Sequence, residues 1–278
     1  MKFGNGGRLR AAMKAALVAI AGACLAHAQG PAPVTASIAY IAFGGVVAPG
    51  NVNAWTTEFV FTNLGTNTAT VGLRWYGDSG NPLAVPVVGV NRSTVHEFQI
   101  AAGATLDIQL DDTEDPLTEG WVAVDAVGSV NGQAIFHSDL TGRPEYSAAA
   151  PLTFHGIRAG VILLGGGVPV TTVAAPVSLA LPFNNVNNIT GVSFANITDS
   201  AQTLTLNYLD DNGNQLMSQT IPLGPGAHTA FPASDPRVAG TKGTIVVAGD
   251  GSPYTAIAFV MGQGANAGTI ATLLPVIR

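Results

Sequence analysis

Cysteine is almost missing from the 278-residue chain: Cys24 is the only one. No intrachain disulfide can form, so stability must come from buried apolar surface and strand hydrogen bonds. Charge is scarce too, at 10% of residues. Thr, Ser, Asn, Gln and Gly must therefore cover most of the surface. Positive charge is the scarcer sign, with 11 basic against 17 acidic residues. Phosphate binding needs clustered Lys and Arg, so a nucleic-acid partner is excluded and an anionic membrane surface is disfavoured. Sustained helical periodicity is also lacking. Short alternating runs, broken by Gly, Asn, Asp and Pro, recur along the chain and read as all-β.

Residues 1–28 have the organisation of a secretory signal peptide. Lys2, Arg8, Arg10 and Lys14 form a basic start, AALVAIAGACLAHA follows, and Ala26-His27-Ala28 supplies the cleavage pattern before Gln29. Cleavage there would remove Cys24 and leave 7 basic against 17 acidic residues, a formal net charge of −10. The alternative is lipoprotein anchoring through Cys24. Either way the expected location is exported: periplasmic, cell-surface or secreted.

The mature sequence is written twice. FVFTNLGTNTATVGLRWYGDSGNPL (59–83) aligns without a gap on VSFANITDSAQTLTLNYLDDNGNQL (192–216) at an offset of 133. Farther on, GWVAVDAVGS (120–129) meets GTIVVAGDGS (243–252) at an offset of 123, and Phe136 is matched with Phe259. The first copy thus carries ten extra residues around PVVGVNRSTV. Copies are expected over 34–155 and 172–278, joined by a linker over 156–171. A period above 100 residues indicates duplicated domains and not a solenoid. Residues 159–198 carry no charge, but Pro169, Pro176, Pro182 and Gly165-Gly166-Gly167 argue against a transmembrane helix there. No transmembrane segment is expected after signal cleavage.

In each copy one strand face is apolar: Val71, Leu73 and Trp75 in the first, Leu204, Leu206 and Tyr208 in the second. About seven short strands per copy predict two tandem immunoglobulin-like β-sandwich domains after the signal. The TN-turn-strand-D-x-G-N-x-L segment resembles the tandem immunoglobulin-like (fibronectin III-like) repeats of secreted bacterial proteins. That resemblance implies a fold and an extracytoplasmic setting, and it carries no catalytic residue.

GDSGNP (77–82) is one letter from the GDSGGP around the nucleophile of trypsin-like proteases. The second copy has DDNGN, with Asn212 in place of Ser79. What both keep is Asp78/Asp211, Gly80/Gly213 and Asn81/Asn214, which is hairpin-turn chemistry. The histidine that a protease order requires before the serine is also lacking, His27 aside.

Three further features could bind something. Trp121 alternates opposite the apolar Val122 and Val124, on the face of Asp125. With Trp55, it could stack on a sugar ring or anchor a protein, or else lie under a loop or domain contact. Asp111, Asp112, Glu114 and Asp115 form an acidic run that is either a solvated loop or a weak Ca²⁺ site, the one cofactor the sequence raises. The histidines match no zinc spacing and are expected on surface loops. The expectation is a non-enzymatic exported structural, adhesive or surface-interaction module. Its partner would be an unknown protein or glycan. The alternatives are a carbohydrate-binding module using Trp121 and a weak calcium-binding domain.

Overall fold

The computed structural model describes residues 36–48, 51–111, 116–141, 145–154, 163–164, 168–169, 178–264 and 269–277. These belong to one compact unit, Pro31–Arg278. Residues 1–28, expected to be a signal peptide, His155 and most of the expected 156–171 linker lie outside them. The chain is all-β, and no helix among the described residues is long and apolar enough to cross a membrane.

The first copy contains β1 (Ala36–Ala48), β2 (Asn51–Asn63), β3 (Ala69–Tyr76), β4 (Val85–Val87), β5 (Val90–Ser93), β6 (Val95–Ile100), β7 (Thr105–Gln109), β8 (Thr118–Val127), β9 (Val130–Leu140), β10 (Tyr146–Pro151) and β11 (Thr153–Phe154). A two-residue pair, β12 (Leu163–Leu164) and β13 (Val168–Pro169), follows. The second copy contains β14 (Ser178–Asn184), β15 (Asn188–Asn196), β16 (Gln202–Asp210), β17 (Gln215–Leu223), β18 (His228–Pro232), β19 (Lys242–Ala248), β20 (Tyr254–Gly262), β21 (Ile270–Leu273) and β22 (Val276–Ile277).

Pairing in the two copies follows one plan, antiparallel throughout. In the second copy one sheet runs β17-β16-β19-β14-β22 and the other β18-β15-β20-β21. In the first copy the same orders recur as β6-β3-β8-β1-β11 and β7-β2-β9-β10. There β1 joins the two sheets, because it pairs with β8 up to Phe43 and with β2 from Gly44 onward. Gly44 and Gly45 both take positive φ at this crossing.

Alternation sets the cores. Val71, Leu73 and Trp75 point inward from β3 and meet Phe59 and Phe61 of β2, with Trp75 edge-on to Phe59 at 5.6 Å. Leu204, Leu206 and Tyr208 of β16 likewise face Val192 and Phe194 of β15. Asn63 and Asn196, both fully buried, end β2 and β15 in the same way. The Asn63 amide donates to the carbonyls of Asn67, Ile100 and Ala101, and that of Asn196 to Ser200, Leu223 and Gly224.

The GDSGN and DDNGN turns are superposable in their bonds. Gly77 N–H donates to Asn81 O, and Asp210 N–H donates to Asn214 O. Gly80 and Gly213 both have φ +81°. DDNGN joins β16 directly to its partner β17. GDSGN does not join β3 to its partner β6, because the β4–β5 hairpin intervenes and buries Val85 and Val87. That hairpin is the ten-residue excess seen in sequence.

One expected equivalence is corrected. Val60 of β2 pairs with Gln133, whereas its counterpart Ser193 pairs with Ile257. The offset between β9 and β20 is therefore 124, not 123. A slip of one residue turns a side chain to the opposite sheet face. Phe259 accordingly occupies the place of Ile135, not of Phe136, and points out of its own sandwich.

Candidate functional site

Phe259 points at the first copy. With Ile257 it belongs to the first copy's core cluster, and Phe259 lies 5.0 Å from Phe136 and 5.2 Å from Tyr40. The face that carries Glu58, Asp107, Gln133 and His137 in the first copy carries Gly191, Ala230, Ile257 and Met261 in the second. Exchanging polar for apolar and small residues lets this sheet pack on the flank of the first sandwich, along β1.

The GDSGN turn locks the joint. His228 N–H donates to Asp78 O at 3.0 Å, and His228 Nδ1 lies 2.7 Å from Asp78 Oδ1. A side chain on Gly80 would overlap the Pro225 carbonyl oxygen of the second copy. Asp211, the counterpart of Asp78, instead pairs with Lys242 at 3.0 Å. The kept aspartates therefore do not hold their own turns: each side chain bonds elsewhere.

Trp121 is 1% exposed. It stacks on Tyr76 at 4.7 Å, packs with Ala195 and Ile197, and donates its indole N–H to Gly226 O at 2.8 Å. Outward orientation was readable from its strand, but the second copy's GPG loop covers it, so no sugar ring can reach it. Asp125 is taken by the Arg74 guanidinium at 2.8 Å. Trp55 remains half-exposed. Asp112, Glu114 and Asp115 lie outside the described residues, and Asp111 is half-buried at their edge. Among the described residues no group of three His, Cys, Asp or Glu is arranged to hold a metal ion.

Sequence reasoning missed the buried histidines. His96 accepts from Trp75 Nε1 at 2.9 Å within the first core. His228 sits in the joint, with Nε2 2.8 Å from Ser193 Oγ, so Asp78, His228 and Ser193 form a Ser-His-Asp chain built from both copies. Two features argue against nucleophilic catalysis. Ser193 is fully buried, and its hydroxyl proton goes to Ala39 O at 2.6 Å, so Nε2 must donate to the serine, the reverse of a general base. Ser193 also lies mid-strand in β15, paired on one side with Ala230 and on the other with Ile257. The ladders on both sides engage the neighbouring backbone N–H groups, leaving none to form an oxyanion hole. The chain is a polar bolt through an apolar joint.

Beside the bolt the copies do not close fully. A cleft of about 310 Å³ opens between them, walled by Tyr40, Trp55, Leu117 and Glu119 from the first copy and by Phe231, Phe259 and Met261 among others from the second. Register places two of its walls. Glu119 on β8 faces Ala42 of β1, and Trp55 on β2 faces Gly44 of the same strand. Gly191 lies in the cleft wall, and a Cβ there would meet only the Met261 methyl, at 3.2 Å. Tyr40 donates its hydroxyl to Glu119 Oε1 at 2.6 Å. Burial first, then the Glu119 charge, raises the Tyr40 phenol far above its ordinary range, so it stays a donor. A concave, mainly apolar site with one oriented polar pair is the usual form of a small-ligand pocket. Comparison with protein-family models, with curated proteins and with solved structures returned no match.

Proposed function

We propose that this is an exported, non-enzymatic binding protein made of two immunoglobulin-like sandwiches that act as one body, with the cleft at their junction as its binding site. The observation that carries this reading is the cleft itself, where aromatic side chains from both copies surround one carboxylate. An open concavity lined mainly by apolar side chains leaves that apolar area facing solvent, as binding grooves do. Ser193 borders the cleft but is itself fully buried with its hydroxyl given to Ala39 O, which supports a structural role for the Ser-His-Asp chain. A surface-interaction role agrees with the signal-like N-terminus, the negative charge and the Thr/Asn-rich surface.

The test uses the neutral fluorescent probe N-phenyl-1-naphthylamine. Saturable 1:1 binding to the full protein is expected, with loss of binding in Gly191→Val. That change puts a β-compatible side chain into the cleft where only a flexible methionine stands nearby. Unsaturable binding, or equal binding to Gly191→Val with an unchanged melting temperature, would overturn the reading.

A further inference from the structure

We infer that the cleft takes a small organic cation, an ammonium group with apolar substituents; this rests on the binding reading above and names its ligand class. Among the described residues of the cleft wall Glu119 is the only charged side chain, and the Tyr40 hydroxyl is its hydrogen-bond partner. It forms no ion pair with a described Lys or Arg. Arg74 is engaged by Asp125, Arg237 by Asp235 and Lys242 by Asp211, and Arg92 donates to the Ala84 carbonyl. A half-buried carboxylate in a cleft shared with Trp55, Phe231 and Met261 is partly dehydrated, and among the described wall residues the Tyr40 hydroxyl answers one of its oxygens while no cation answers its charge. A bound cation would. The aromatic rings add attraction of their own, because the faces of Trp, Tyr and Phe are negative and draw in an alkylated ammonium. An anion would meet the Glu119 carboxylate with no basic group among the described wall residues to hold it. A neutral apolar ligand would fit by shape but leave the Glu119 charge unanswered.

The experiment compares choline with its uncharged carbon isostere, 3,3-dimethylbutan-1-ol, by titration calorimetry and Trp55 fluorescence on the full protein. Choline should bind 1:1 and at least ten-fold tighter than the alcohol. In Glu119→Gln the Tyr40 hydroxyl still has an acceptor, so the fold is kept. There the preference should fall to within about three-fold, with alcohol binding unchanged. Equal binding of the pair, or a cation preference that survives Glu119→Gln, would overturn the inference while leaving the cleft as a binding site. If neither ligand binds while N-phenyl-1-naphthylamine does, the cation class is wrong. If the naphthyl probe also fails, the cleft reading falls with it.

Discussion

Asp78 and His228 stand 150 residues apart in sequence and 2.7 Å apart in space. The imidazole is fully covered while the carboxylate is 68% exposed, so the two ends of this bond differ in what their loss would do. His228→Ala strips partners from both Asp78 and the buried Ser193 and should cost about 2–3 kcal/mol. Asp78→Asn keeps an acceptor oxygen and should cost about 1 kcal/mol. In a double-mutant cycle with His228→Ala, urea melts should show a coupling of about 1 kcal/mol. Strictly additive losses would mean that the contact contributes nothing.

Gly80 and Gly213 provide a matched pair. Each sits at φ +81°, but only Gly80 faces the other copy; a Cβ on Gly213 has nothing within 4 Å. Gly213→Ala should cost only the backbone strain, about 1 kcal/mol. Gly80→Ala adds an overlap with the Pro225 carbonyl and should cost about 3 kcal/mol or more. Ser79→Asn, the residue of the second copy, should lie within about 0.5 kcal/mol of the parent. Equal thermal melts for the two glycine variants would show that the turn does not carry the joint.

Trp121 tests the joint from the other side. Trp121→Ala empties a fully buried site and should destabilise by about 3–5 kcal/mol. Trp121→Phe retains the stack on Tyr76 but leaves the Gly226 carbonyl without its indole donor, for about 1–3 kcal/mol. An exposed, ligand-binding tryptophan would instead leave the melts unchanged for both variants.

High pH should unfold the protein through its buried phenols. Burial, helped by the Asp235 charge, pushes Tyr208 up to about 12, and burial raises Tyr40 and Tyr254 further. An unfolded tyrosine ionises near 10. Folded phenols keep their protons longer, so the stabilisation they give is whole below pH 10 and is lost as pH rises from 10 towards 12. Tyrosinate absorbance at 295 nm from these three should appear together with loss of the β-sheet circular dichroism. Full ionisation with an intact dichroism spectrum would contradict their burial.

Much of the fold was legible because period-2 alternation and turn residues are local signals. Val71-Leu73-Trp75 gave the inner face, Gly80 gave the positive φ, and the jump in offset marked the β4–β5 hairpin. The site was harder to read, because alternation tells which face a side chain takes but not what covers that face. Trp121 points outward, as its alternation shows, and finds the second copy there. The signal that could have found the joint lies in the differences between copies. Glu58, Asp107, Gln133 and His137 become Gly191, Ala230, Ile257 and Met261, a polar face turned apolar, and Thr105 becomes His228. The intended match of Phe136 with Phe259 hid that pattern by one residue.

The sheet β18-β15-β20-β21 sends Val192, Phe194, Ala256 and Ala258 into one core and Ile257 and Phe259 into the other. A sheet that belongs to both cores ties their melting together, so calorimetric and van't Hoff enthalpies should agree for the whole chain, as for a single cooperative domain. It also orders events at the ribosome. The first copy is made before Ile257 and Phe259, which belong to its core cluster and follow more than a hundred residues after its last strand. An arrest of synthesis near residue 170 would leave a half-finished core exposed, a state from which partly folded chains aggregate.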